Sequence, residues 1–527
     1  MKIEFPFIIL LMAALAWSSF AIISIADLAE IGGADPAGYL VMARGLLEGE
    51  GFVSHTVKQY DWVQPEIIGP DYIEPPGAAV GIALFFKLFG ETPLTGKLFT
   101  LLAGLLVSPL LVYGIARAWN LSPIVALFAG LFTLCYPVSF FSHLYALSDD
   151  PMTMWVLAGL LCFFMARGRM WFYVLSGVFL AFAGMTKYSA FLVWIALGLY
   201  AVILLWKKAD PHLRLSHVFL LFLVALAVAS PLLIRNQVYF GNPVFTVVAA
   251  QTWTLDFQEP DEKYKMFFWD EGPATLSWAL HEYDFEDLSR KYARIAHAFI
   301  FEEGLFVALA LLGCILMIRK PETLFILICT AIFFFFFLLY NHYEGRYFLV
   351  MHALWCIPMA YLFFHNKSFL RTVAGIGLLV LLFGFIGLKF IQADTNPYGD
   401  SAFTHNRAAL HEAIINLVPQ GEPVMTYYPR QSDFVTRHPI LMQVEEDPGT
   451  TLRIMHYYGA NYVECGPKAP ELDNDPRFQL VFDGYYDLCK VDWKLVFETS
   501  PPIPALVNIT QDWSFSRFRP YVQKISQ

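Results

Sequence analysis

Charge is what this chain has least of. Only 15% of its 527 residues are Asp, Glu, Lys or Arg, against about a quarter in an ordinary soluble domain. With 57% hydrophobic residues and a mean hydropathy of +0.52, that scarcity excludes a soluble globular protein and implies a polytopic membrane protein. Metal-ligand spacing is also lacking, both among the seven Cys and among His55, His143, His281, His297 and His342. There is no glycine-rich phosphate loop or other nucleotide motif, and no internal repeat. The apolar run from Phe5 to about Ala26 has no small-x-small cleavage site and is too long for a signal-peptide core, so it reads as a retained first span. The net charge of -10 averages over two sides of a bilayer and identifies no partner by itself; no nucleic-acid partner is expected.

What is there is a series of apolar stretches. A helix needs about 20 apolar residues to cross the hydrocarbon core, and about eleven stretches qualify as candidates. They run approximately 5 to 26, 95 to 116, 122 to 143, 150 to 166, 171 to 187, 189 to 206, 216 to 235, 300 to 318, 322 to 340, 347 to 365 and 370 to 391. If the N-terminus is cytoplasmic, the inner loops carry Arg117, then Arg167 and Arg169, then Lys207, Lys208 and Arg214, then Arg319 and Lys320, then Lys367 and Arg371. Every alternate turn is basic, as the positive-inside bias requires, so count and orientation support each other. An odd number of spans puts the chain after about Gln392 outside.

Three outer segments are then large. The first, 27 to 93, is acidic and holds a short amphipathic helix over Pro36 to Glu48 and an apolar stretch, Pro76 to Phe89, too short to cross; both would lie along the membrane. The second, 241 to 298, carries the acidic run Glu282, Asp284, Glu286 and Asp287. The third, 396 to 527, changes pattern. Helical spacing over Arg407 to Leu417 and Thr451 to Tyr458 alternates with strands at Pro423 to Tyr428 and Asn461 to Cys465. A hairpin follows, Phe478 to Phe482 and Tyr486 to Val491, around Asp483-Gly484. The fold expected is an α-helical polytopic membrane domain over 1–395 with a small extracytoplasmic α/β domain, which serves as a lid or docking module. Cys135, Cys162, Cys314, Cys329 and Cys356 lie in apolar spans and act as small hydrophobes, whereas Cys465 and Cys489 would pair if their side is oxidising.

The candidate chemistry sits at the outer ends of the spans. Asp35-Pro36 is a helix start, with Asp as N-cap and Pro at the first position. Capping still leaves one carboxylate oxygen for a substrate. The pattern recurs at Ser148-Asp149-Asp150-Pro151, where Asp150 would cap and Asp149 is the carboxylate in excess. Lys187, Arg235 and Arg346 fall at the outer boundary against the positive-inside bias. Snorkelling explains any one of them. Three on an acidic face suit a phosphate at the membrane surface, with Arg supplying bidentate contacts and Lys a point charge. Asn508-Ile509-Thr510 is a glycosylation sequon by pattern only.

Gly33-Ala34-Asp35-Pro36-Ala37-Gly38-Tyr39, Ala43-Arg44-Gly45-Leu46, Tyr72-Ile73-Glu74-Pro75-Pro76-Gly77 and Leu88-Phe89-Gly90 resemble the polytopic GT-C glycosyltransferases. Within these the likeness is to the protein O-mannosyltransferase and aminoarabinose (lipid A) transferase-like group. Ser148-Asp149-Asp150-Pro151, Lys187-Tyr188, Arg235-Asn236 with Phe240-Gly241-Asn242-Pro243, and Arg346-Tyr347 with Pro358 are similar to later motifs of the group, in the same order. The resemblance covers about residues 1 to 395. It implies inverting transfer of a sugar from a polyprenyl-phosphate donor to a lipid, glycan or protein acceptor, among membrane lipids. It assigns the base to Asp35 and an assisting role, toward the acceptor or a cation, to Asp149 or Asp150. Tyr39, Tyr72 and Glu74 belong to the substrate loop. Several family members have a basic residue beside the Pro-Pro-Gly turn where this chain has Glu74. That departure moves donor-phosphate binding to Lys187, Arg235 and Arg346. No nucleotide is required, no cofactor is implied with certainty, and a divalent cation at Asp149 stays open. A transporter of lipid-linked sugars and a non-catalytic scaffold are the rival readings; the clustering of charge at one face, rather than at the bilayer midplane, disfavours the transporter.

Overall fold

The computed structural model describes residues 4–25, 34–57, 66–71, 73–137, 139–245, 281, 283–340, 343–366, 368–391, 401–443, 448–466, 470–473, 475–484 and 486–499. Tyr72, His342 and the sequon at Asn508 lie outside them. Helices occupy each of the eleven apolar stretches, but not all are long enough to cross. Eight are, by length and hydropathy: Phe5–Ile25, Pro93–Ala118, Ala190–Lys207, Leu215–Phe240, Phe285–Leu316, Pro321–Leu338, Gly345–Phe364 and Phe369–Lys389. Met170–Thr186 and Asp149–Met165 have 17 residues each, and the expected span 122 to 143 is broken. Pro123–Leu134 stops at Cys135, and a separate short helix, Ser139–Leu144, carries His143.

Local chemistry accounts for several of the boundaries. The Ser122 hydroxyl accepts from the Val125 amide with Pro123 at the first helical position, and Thr92 does the same for Thr95 with Pro93. The acidic run at Asp284 to Asp287 opens the long Phe285–Leu316 helix, in a reciprocal Asp284–Asp287 capping box, so this helix begins 15 positions before the expected span. Buried apolar side chains of the helices merge into one core, with the Gly345–Phe364 helix the most enclosed.

The Ala34–Glu48 helix forms as expected, and most of it is covered by other parts of the protein. Residues 36–45 are buried, because the Gly77–Phe89 helix packs on one side and Pro429–Thr436 on another. Ala37, Leu40, Ala43, Ala78, Ile82 and Phe86 make a small core of their own there, with Phe434 against it.

Two sheets are present among the described residues. Strand β1 (Val53–Ser54) pairs antiparallel with β3 (Gly69–Pro70), closing the first loop on itself. The larger sheet has the order β2-β5-β4-β6-β8-β7, with β2 at Thr56–Val57, β4 at Val424–Thr426, β5 at Ile440–Met442, β6 at Tyr462–Cys465, β7 at Phe478–Phe482 and β8 at Asp487–Val491. The first four strands are parallel and the last two antiparallel. Parallel neighbours need a crossover, supplied here by the helices Pro429–Thr436 and Pro448–Tyr458. The expected β4, β6 and β7–β8 hairpin are all found. Strand β2 is contributed by the first loop, so that loop and the C-terminal unit share one sheet. Cys465 and Cys489 are diagonal neighbours on β6 and β8, with Cys465 opposite Asp487 and Cys489 opposite Val463, and are joined by a disulfide.

Candidate active site

One end of the helical bundle collects the scattered charges into a single chain of contacts. The Lys187 ammonium lies 2.5 Å from Asp149 Oδ1, and Arg346 Nη1 lies 3.9 Å from Asp149 Oδ2. Arg346 Nη2 donates to Asp35 Oδ2 at 3.1 Å, and its Nε to Glu344. Beyond Asp35 stands Arg430, with Nη1 4.0 Å from Asp35 Oδ1 and 2.5 Å from Glu74 Oε1, and Nη2 3.9 Å from Asp71 Oδ2. Positive and negative groups alternate along the whole row. Burial does not: Asp149 is fully enclosed and Arg430 is 1% exposed, whereas Asp35 is 37% exposed. The row therefore has a sealed back and an open carboxylate at its centre.

The local fold explains each placement. Asp35 lies in the first turn of its helix, and Asp149 in the first turn of Asp149–Met165. Lys187 is the residue at which Met170–Thr186 ends, and its extended backbone turns the side chain back toward Asp149. Gly77 sits so close to that helix end that a Cβ would meet the Met185 carbonyl oxygen at 2.8 Å and Thr186 Oγ1 at 2.5 Å. The Pro-Pro-Gly turn is thus pressed against the Lys187 helix because it has no side chain. Asp71 closes the turn, its carboxylate accepting from the amides of Ile73 and Glu74.

Three expectations change. The N-cap of Asp149–Met165 is Ser148, not Asp150; Asp150 is a helical residue whose carboxylate bonds His143 Nδ1 at 2.9 Å, away from Asp35 and Lys187. A buried histidine partner outweighs a cap bond, which is worth about 1 kcal/mol. Arg235 does not face the row with its donors. Its guanidinium binds the carbonyls of Asp71 at 2.7 Å and Phe52 at 3.3 Å, and Asn236 at 3.0 Å, so it ties down the first loop from behind. Glu74 leaves no gap in positive charge, because Arg430 fills the place beside it.

Tyr39 is buried one helical turn from Asp35 and bonded to Ser148. Its hydroxyl is pushed well above the ordinary tyrosine range by burial, then by the nearby charge of Glu74, so it stays protonated. Among the described residues no group of three or more His, Cys, Asp or Glu side chains is placed to hold a metal. At Asp149 the neighbouring cations are Lys187 and Arg346.

Arg430, Asp71 and Glu344 are the residues that sequence reasoning missed. One signal was available: Glu74, an uncompensated acid in a loop expected to meet a phosphate, requires a cation from elsewhere. A second buried pair locks the same interface, with Arg44 Nη2 on Asp433 Oδ1 at 2.6 Å. Burial still pushes the Asp433 carboxyl up to about 6, with the Arg44 guanidinium acting to lower it.

The fold is GT-C-like, a polytopic helical domain followed by a mixed α/β unit. Over residues 73–234 the chain matches the model of the dolichyl-phosphate-mannose-protein mannosyltransferase family. Its structure is similar to that of ArnT from Cupriavidus metallidurans bound to undecaprenyl phosphate, with a TM-score of 0.58 and 15% identity, over 92% of this chain and 97% of that one. It is also similar to the Archaeoglobus fulgidus oligosaccharyltransferase in its apo form, with a TM-score of 0.58 and 12% identity, over 86% of this chain and 69% of that one. The same archaeal enzyme, AglB, in complex with an inhibitory peptide and a dolichol-phosphate aligns at a TM-score of 0.50 and 12% identity, over 86% and 69%. A comparison with curated protein sequences gave no match.

Proposed function

We propose that this chain is an integral membrane glycosyltransferase that takes a sugar from a polyprenyl-phosphate carrier, with inversion, and that Asp35 is its general base. The observation that carries the reading is the half-open Asp35 carboxylate set in a row of alternating charges, between the partly exposed Arg346 and Lys187 on one side and the buried Arg430 on the other. Two similar structures hold a polyprenyl phosphate, undecaprenyl phosphate in one and dolichol-phosphate in the other, which supports a lipid-phosphate donor here. The acceptor is a lipid, glycan or protein, and the positive-inside pattern supports a site on the extracytoplasmic face.

The chemistry follows from the row. The acceptor's nucleophilic group attacks the anomeric carbon as the bond from that carbon to the phosphate oxygen breaks, and its electron pair leaves with the carrier phosphate. Asp35 takes the acceptor's proton. Lys187 and Arg346 are the exposed cations of the row, 21% and 19% exposed, and stabilise the charge that develops on the departing phosphate. Asp149 holds both cations in place until the phosphate arrives. Arg235 acts indirectly, by fixing the loop that carries Asp71 and Glu74. The test is turnover of purified protein with a lipid-phosphate sugar: Asp35→Asn is expected to lose about 10²- to 10⁴-fold. Turnover near wild type in that variant would overturn the assignment.

A further inference from the structure

The C-terminal unit does more than cover the site: we infer that Arg430 is a positioning residue of the reaction centre, held in a notch at Gly38 so that its guanidinium fixes the Asp35 carboxylate from the side opposite Arg346. The inference rests on Asp35 being the reacting carboxylate.

Four observations converge on it. Arg430 is 1% exposed and lies within 4.0 Å of three carboxylates from the first loop and its helix, namely Glu74, Asp71 and Asp35. A lone buried guanidinium would be costly, so this placement exists only because the acids surround it. Gly38, one helical turn after Asp35 and on the same face, leaves the space that Arg430 occupies: a Cβ there would lie 2.4 Å from Nη1, 2.7 Å from Cζ and 3.0 Å from Nε. The Arg44–Asp433 pair, three residues along the same C-terminal helix, fixes that helix against the Asp35 helix. Finally, the charge of Asp35 is among those that hold the Arg430 guanidinium protonated, after Glu74 and Asp71 and against the cost of burial.

Asp35 is faced by charged or titratable groups from several elements. Arg346 comes from the start of the Gly345–Phe364 helix and Arg430 from Pro429–Thr436, while Tyr39, Tyr340 and Tyr347 couple to it electrostatically. Arg346 also answers to Glu344 and Asp149, and Arg430 to Glu74 and Asp71. Removing Arg430 thus removes one of the two cations on Asp35 and leaves the donor-facing Lys187 and Arg346 in place.

The experiment measures kcat, KM and the pH-rate profile of full-length protein in detergent or nanodiscs. In Arg430→Gln the acid limb of kcat is expected to move up by about one pH unit, with kcat falling about tenfold and KM for the donor little changed. Arg430→Lys restores most of the limb's position, because the charge returns without the fork. Gly38→Ala displaces the guanidinium without deleting a charge and shifts the limb in the same direction, and it decides the matter if Arg430→Gln yields no folded protein. An acid limb that stays at the wild-type pH in folded Arg430→Gln or Gly38→Ala overturns the inference. The two readings fail separately. Wild-type turnover in Asp35→Asn sinks the base assignment, whereas an inactive Asp35→Asn with an unmoved limb in Arg430→Gln sinks only the role of Arg430.

Discussion

Asp35 and Glu303 are both carboxylates among aromatic helices, and they are finished in opposite ways. Glu303 is fully buried in the Phe285–Leu316 helix, where Tyr136 at 2.9 Å and Tyr343 at 3.0 Å donate to it and His352 Nε2 lies 2.9 Å away. Its partners come from the bundle itself, and neither oxygen is left to meet a ligand. Asp35 is more than a third exposed and its nearest partners are guanidiniums, one of them sent in from the far end of the chain. A buried acid satisfied by tyrosine hydroxyls and a histidine of its own bundle specifies packing. An open acid framed by cations is a place where a proton can be received and a neighbouring phosphate held.

That contrast is broken most sharply by exchanging the expected phenotypes. Asp35→Asn should lower turnover by about 10²- to 10⁴-fold while leaving thermal unfolding in detergent near wild type. Glu303→Ala should do the reverse, losing about 3–5 kcal/mol of stability by stranding its partners, with the surviving folded protein still turning over. Next in size is the pair that docks the C-terminal unit on the Asp35 helix. Arg44→Ala leaves Asp433 buried without its cation and should also cost about 3–5 kcal/mol, read as an earlier melting transition, and should lower kcat by loosening Arg430.

The smallest effect sharpens the comparison through pH. His411, buried beside Arg407 and bonded to Ser432 at 3.2 Å, has its imidazole pushed down to about 4 by burial and then by Arg407. Its unfolded form binds a proton first as pH falls below about 6.5, so stability is lost between 6.5 and 4, by at most about 3 kcal/mol. Asp433 acts oppositely: its raised folded value stabilises the fold at low pH, and that contribution is lost as pH rises from about 4 through 6. His411→Gln should therefore gain melting temperature relative to wild type as pH drops from 6.5 to 4. A difference independent of pH would show that the imidazole is not held neutral.

The helices and the residues at their ends were legible because apolar length and the placement of Lys and Arg are local signals. Asp35, Asp149, Lys187 and Arg346 could be assigned to one face by counting spans, and the structure joins all four within 4 Å steps. What the sequence hid is long-range. Arg430 meets Glu74 across 356 positions, from a polar helix that reads as ordinary surface. Strand β2 is two residues long and has no alternation to betray it. Arg235 was visible as an unusual cation, but whether its fork would meet a phosphate or two backbone carbonyls depended on how the first loop returns over it.

The shared sheet also sets a schedule. Thr56 and Val57 pair with Ile440 and Leu441, about 380 residues later, so the first loop cannot complete its edge until nearly the whole chain exists. At roughly 5–20 residues per second of synthesis, that segment waits on the order of 20–80 s with its hydrogen-bonding groups uncommitted. The clasp between the first loop and β5 is what ends the wait.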